Sequence, residues 1–129
     1  MGLDMYAYSI PKDASRPAVD FDIKLIDENP TECENIHYWR KHPNLHGWME
    51  DLYREKGGSD PDFNVNPLEL TLDDLAELER VVLANDLPDT TGFFFGVTTG
   101  EERADDLAFI AKARAEIAKG KSIAYYAWW

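Results

Sequence analysis

Cysteine is nearly absent. With Cys33 alone in 129 residues, no disulfide can form within the chain, and thiolates alone cannot build a zinc site. No apolar run approaches the roughly 18 residues that a membrane span needs. Positive charge is also scarce: 13 Lys and Arg face 25 Asp and Glu, for a net charge of −12. That balance excludes a non-specific nucleic-acid binder and a protein drawn to anionic membranes. Residues 1–10 contain an acid and neither Lys nor Arg, which does not fit a signal peptide. Met1-Gly2 resembles a myristoylation start, but Tyr6 stands where Ser or Thr is wanted. A cytoplasmic setting is the expectation. No repeat, low-complexity tract or linker divides residues 1–129, so one domain is expected.

What is present is apolar and aromatic. Four Trp, six Tyr and six Phe argue against a disordered chain. Leu3 to Ile10 alternates as a strand, with Leu3, Met5 and Ala7 on one face and Asp4, Tyr6 and Tyr8 on the other. Residues 21–26 alternate again, as a strand or an ordered loop. After the turn signal Asp27-Glu28-Asn29-Pro30, Thr31 and Glu34 have capping-box spacing and predict a short helix. Pro43 breaks the chain after His42 and opens a helix to about Lys56, with Leu45, Trp48, Met49 and Leu52 as its apolar stripe. Gly57-Gly58 ends it, and residues 59–67 read as a loop.

Thr71 caps a second helix to about Asn85, whose buried stripe is Leu72, Leu75, Leu78 and Val82. Thr91 to Gly96 reads as a short buried strand around Phe93, Phe94 and Phe95. A third helix starts at Thr98 or Thr99, runs to Lys119 and ends at Gly120. Ile123 to Trp129 is a terminal aromatic strand. The pattern predicts an α+β fold: a small, mostly antiparallel sheet with about three packed helices and both terminal strands in one sheet.

Five stretches carry a resemblance. They are Gly2-Leu3-Asp4-Met5-Tyr6, Tyr38-Trp39-Arg40-Lys41, Asn44-x-His46-x-Trp48, the run from Leu87-Pro88 to Gly92-Phe93-Phe94-Phe95-Gly96, and Tyr125-Tyr126-Ala127-Trp128-Trp129. In combination they resemble a family of small, uncharacterised bacteriophage and prophage proteins across nearly the whole chain. Met49 departs from the aromatic that usually follows the Trp, and Val97-Thr98 replaces a Ser-Thr. The resemblance implies a phage setting, with countering of a host defence signal as one role there. It implies no reaction.

The chemistry concentrates between Asn35 and Met49. This segment has no acid, yet holds Arg40, Lys41, all three histidines, Tyr38, Trp39 and Trp48. Cationic side chains favour phosphate or carboxylate, and flat rings favour stacking on a base. The segment is therefore read as a site for a small anionic, nucleotide-like ligand. Arg40 and Lys41 would meet phosphate, Tyr38, Trp39 or Trp48 would stack, His46 would donate a hydrogen bond, and Asn44 and Thr91 would add polar contacts. The plain alternative makes Trp39 and Trp48 core residues and pairs Arg40 and Lys41 with nearby acids.

Cys33, His37, His42 and His46 match no zinc spacing, so neither metal nor cofactor is expected. An enzymatic alternative is a phosphodiesterase with His46 as general base and Glu50 or Asp4 as its acid. A further alternative reads the acids at Asp73-Asp74-Glu77-Glu79 and Glu101-Glu102-Asp105-Asp106 as a mimic of nucleic-acid charge that fits a basic groove of a host protein. Helix starts favour acids anyway. Direct nucleic-acid and membrane partners are not expected, and oligomeric state is left open.

Overall fold

A computed structural model describes residues 2–22, 24–28, 31–90 and 101–129. Among them the chain runs β1 (Asp4–Pro11), α1 (Lys24–Glu28), β2 (Glu34–Arg40), α2 (Pro43–Glu55), β3 (Leu68–Leu70), α3 (Leu72–Leu83), α4 (Arg103–Ala118) and β4 (Lys121–Trp128). The expected strand Thr91–Gly96, including Phe93, and the ligand role of Thr91 lie outside the described residues. The strands form one antiparallel sheet in the order β2-β1-β4-β3. This is the expected α+β architecture, and the two terminal strands lie side by side at its centre.

Alternation on β1 and β4 sorts the sheet's two faces. One face carries Leu3, Met5, Ala7, Trp39, Leu68, Leu70, Ile123, Tyr125 and Ala127 into the main core. There they meet Leu45, Met49 and Tyr53 of α2, Leu75, Leu78 and Val82 of α3, and Phe109, Ile110 and Ala113 of α4. Each fully buried aliphatic side chain contributes about 1.5–3 kcal/mol, so this layer dominates stability. On the other face, Ile10 and Ala124 join Phe21, Ile26 and Cys33 in a second, smaller cluster. Among the described residues, Tyr8 and Tyr126 pack against that cluster.

Helix limits follow local chemistry. Thr71 caps α3 as the sequence indicates, and with Asp74 it forms a reciprocal capping box. Gly57 (φ 97°) and Gly120 (φ 88°) turn the chain after α2 and α4 in the left-handed region that glycine adopts freely. Lys41 takes that conformation as well (φ 55°), and its amide donates to Leu3 O at 2.8 Å. It swings the chain from β2 directly into α2.

Several expectations are corrected. Thr31 starts no helix: residues 34–40 form β2, because His37, Tyr38 and Trp39 gain more by pairing with β1 than a local cap supplies. Residues 24–26 of the expected strand belong to α1. Asp22 Oδ1 accepts from the Lys24 amide at 2.9 Å and opens α1 instead. Glu101 and Glu102 form a turn, so α4 begins at Arg103 rather than at Thr98 or Thr99. Leu72, at the first position of α3, faces water rather than the core.

Candidate functional site

The cationic segment does not form one site, because a strand sends neighbouring side chains to opposite faces. Trp39 points into the main core and is buried. Its Nε1 donates to Asp106 Oδ1 at 3.1 Å. Asp106 Oδ2 lies 2.9 Å from His42 Nε2, and both side chains are buried. His37 sits beside them, its ring 4.5 Å from that of Trp39. Its Nε2 is 3.1 Å from Asp105 Oδ2, without the alignment of a hydrogen bond.

His46 also lies inside. Its Nδ1 is 2.7 Å from the Tyr125 hydroxyl, and its ring stacks on Phe63 at 5.1 Å. Burial pulls its pKa from 6.5 down to about 4, so the ring is neutral near pH 7. Burial raises the Tyr125 phenol well above its ordinary value, so it keeps its proton and can donate to His46 Nδ1. The acids expected to serve His46 are elsewhere. Glu50 pairs with Arg54 at 3.2 Å, and Asp4 lies on the opposite face of the sheet. Trp48 is half-buried against the core, and Asn44 Oδ1 accepts from the Thr90 amide at 3.0 Å. Trp39 and His46 are thus buried in the core, while Trp48 and Asn44 are partly buried beside it.

Tyr38 and Arg40 point the other way, onto the end of the sheet's other face where Tyr38 and Trp128 are exposed. Strand register assembles two cross-strand rows there. Arg40, Asp4 and Trp128 stand side by side on β2, β1 and β4, and Tyr38, Tyr6 and Tyr126 form the next row. Tyr6 lies 5.3 Å from Tyr38 and 5.2 Å from Tyr126, and Tyr126 lies 5.8 Å from Tyr8. The Tyr38 hydroxyl donates to Asp4 Oδ1 at 2.5 Å, which holds its ring over the row and raises its pKa. Trp128 is 62% exposed and Tyr38 47%.

At one end of the first row, Arg40 and Lys41 converge. A Cβ placed on Gly2 would lie 3.0 Å from Arg40 Nη2 and 3.3 Å from Lys41 Cε. Arg40 Nε stays 3.9 Å from Asp4 Oδ1, beyond a hydrogen bond. The result is a shelf of rings with two cations at its rim. Tyr6, Tyr126 and Trp128 are members that no expected site includes, and Asp4 enters the expectations only as an acid for His46. The signal was there in the i, i+2 spacing of Asp4 with Tyr6 and of Tyr126 with Trp128, once both terminal strands are placed in one sheet.

Other features are less suited to a ligand. A cleft of about 430 Å³ has Lys12, Arg16 and Lys121 in its wall, but Asp13, Glu69 and Asp73 offset them. Several members of the acidic runs are already engaged within the chain. Asp106 is a core residue, Glu79 pairs with Arg114 at 2.8 Å, Glu77 with Arg80 at 2.5 Å, and Asp74 with Lys56. Cys33 belongs to the small cluster on one sheet face, while His42 and His46 lie on the helix side. No group of His, Cys, Asp and Glu suited to a metal ion occurs among the described residues, and no helix of theirs is long and apolar enough to cross a membrane. No family model matches the chain, and neither does any curated protein or solved structure.

Proposed function

We propose that this chain is a non-enzymatic binding protein that takes a small, flat, anionic ligand, a nucleotide, on the end of its sheet that exposes Tyr38 and Trp128. The observation that carries this reading is the pair of cross-strand rows, with exposed rings beside Arg40 and Lys41. Base stacking on an aromatic side chain contributes about 1–3 kcal/mol. A charge-assisted bond to phosphate contributes about 1.5–3 kcal/mol. Together they favour a nucleotide over a neutral ring, while the acidic remainder repels long nucleic acid. The ligand site moves from the segment 38–48 to Tyr6, Tyr38, Arg40, Lys41, Tyr126 and Trp128. With the phage resemblance, the role is a cytoplasmic accessory protein that withholds a nucleotide signal from its host.

The test is titration with nucleoside 5′-monophosphates, followed by tryptophan fluorescence. Saturable quenching is expected, because a base on Trp128 covers its exposed indole. Trp128→Ala should abolish the quenching, and the Arg40→Ala, Lys41→Ala double variant should weaken binding at least tenfold. The reading is overturned if no nucleotide quenches and sedimentation shows concentration-dependent pairing that Trp128→Ala dissolves. The face would then be covered by a second copy of the chain.

A further inference from the structure

The row Arg40, Asp4, Trp128 contains a group that ring stacking and phosphate binding do not use. Asp4 stands between the other two, directly opposite Arg40 on one side and Trp128 on the other. Adjacent strands are about 4.8 Å apart, so ring and guanidinium anchor about 10 Å apart across the row, with the carboxylate midway. Oδ1 accepts the Tyr38 hydroxyl and faces Arg40. Among the described residues the hydrogen bond to this carboxylate falls on Oδ1, and the side chain is 30% exposed. An ionised carboxylate only accepts hydrogen bonds. Next to a phosphate site it is an unfavourable neighbour unless the bound molecule offers it donors.

We infer that Asp4 receives the ribose hydroxyls of the bound molecule, so that the sheet selects ribonucleotides over deoxyribonucleotides. This rests on the nucleotide reading above. The order along the row, ring, acceptor, cation, is the order of base, sugar and phosphate in a 5′-nucleotide. A vicinal diol supplies two donors in the middle of that order, and a carboxylate is the side chain suited to accept them. Tyr38 fixes the Asp4 rotamer through Oδ1, which leaves Oδ2 turned to the ligand. A 2′-deoxyribose presents one donor fewer to a charge that has been partly desolvated, and the unmet acceptor is what discriminates.

The experiment compares adenosine, 2′-deoxyadenosine and 2′,3′-dideoxyadenosine 5′-monophosphates by calorimetry, on the parent chain and on Asp4→Asn. The asparagine keeps an oxygen for Tyr38 and loses the negative charge, and circular dichroism checks its fold. The parent chain is expected to bind the ribonucleotide at least tenfold more tightly than the deoxynucleotide, and the dideoxynucleotide more weakly still. Asp4→Asn should bind all three alike. Equal binding of all three by the parent overturns the sugar inference and leaves the nucleotide reading standing. A preference that persists in Asp4→Asn also overturns it. Failure of every nucleotide to bind overturns both.

Discussion

Trp39 and Asp106 are 67 residues apart, and the indole of one donates to the carboxylate of the other inside the core. The contact fastens the first turn of α4 to the edge strand β2. His42 completes it from the start of α2, so three elements meet on one buried carboxylate. An acid buried there depends on those partners, because a buried polar group that loses them costs free energy.

Asp106→Ala is therefore expected to lower stability by about 3–5 kcal/mol, the range for breaking a buried pair. His42→Phe should cost a similar amount, because it leaves the carboxylate without its closest partner. In a double-mutant cycle by urea denaturation, the two losses should add to clearly more than the loss in the double variant. Strict additivity would mean that the residues do not act together.

His46 gives a pH prediction with a definite sign. The unfolded chain takes up its proton near pH 6.5, and the folded chain only near pH 4. Between those values the unfolded state holds more protons, so stability rises with pH. It is full above about 6.5 and falls as pH drops toward about 4, by about 3 kcal/mol at 1.36 kcal/mol per unit. His46→Gln keeps a partner for Tyr125 and cannot titrate. Its urea midpoints should fall less steeply with acid than those of the parent. Parallel curves would show that His46 protonates in the folded state as readily as in the unfolded one.

Leu78 on α3 is fully buried. Leu78→Ala should cost about 2–5 kcal/mol, as lost burial plus a cavity. A loss below about 0.5 kcal/mol in thermal or chemical denaturation would put this side chain on the surface.

Gly58 packs against Tyr53, where a Cβ would come within 2.3 Å of the ring. That ring cannot easily retreat. Its hydroxyl donates to Asp20 Oδ1 at 2.6 Å and accepts from the Asp60 amide at 3.0 Å. Gly58→Ala is expected to cost about 1–3 kcal/mol, the range for overpacking. Gly57 has open space around it and needs its glycine for φ alone, so Gly57→Ala should cost about 1 kcal/mol. Thermal shifts of the two variants would order them, and the reverse order would contradict the packing described.

Much of the fold is legible in the sequence because its signals are local. The alternation from Leu3 to Ile10, the Thr71 cap and the glycines after α2 and α4 each act within a few residues. Their elements stand where the pattern puts them. β2 is different. The capping-box spacing of Thr31 and Glu34 is a local preference, and it yields to the vacant edge of β1, which only the assembled sheet provides. The site divides by the same logic. Arg40, Lys41 and Tyr38 are conspicuous because they are clustered in sequence. Asp4 and Trp128 are 124 residues from each other, and only the pairing of β1 with β4 makes them neighbours. Trp39 and His46 look like ligand residues by type. Strand parity and helix phase turn them inward.

The position of β4 between β1 and β3 also bears on how the chain is made. Until Lys121–Trp128 has been synthesised, β1 pairs among the described residues with β2 alone, and β3 has only its bridge to Val19. One flank of β1, with its backbone amides and carbonyls, stays unsatisfied throughout that time. Such an edge is a template for pairing with another chain. Closing the sheet brings together residues almost a full chain length apart, which makes for slow folding. A chaperone that shields β1 until β4 arrives should raise the soluble yield more than it raises the stability of the finished fold.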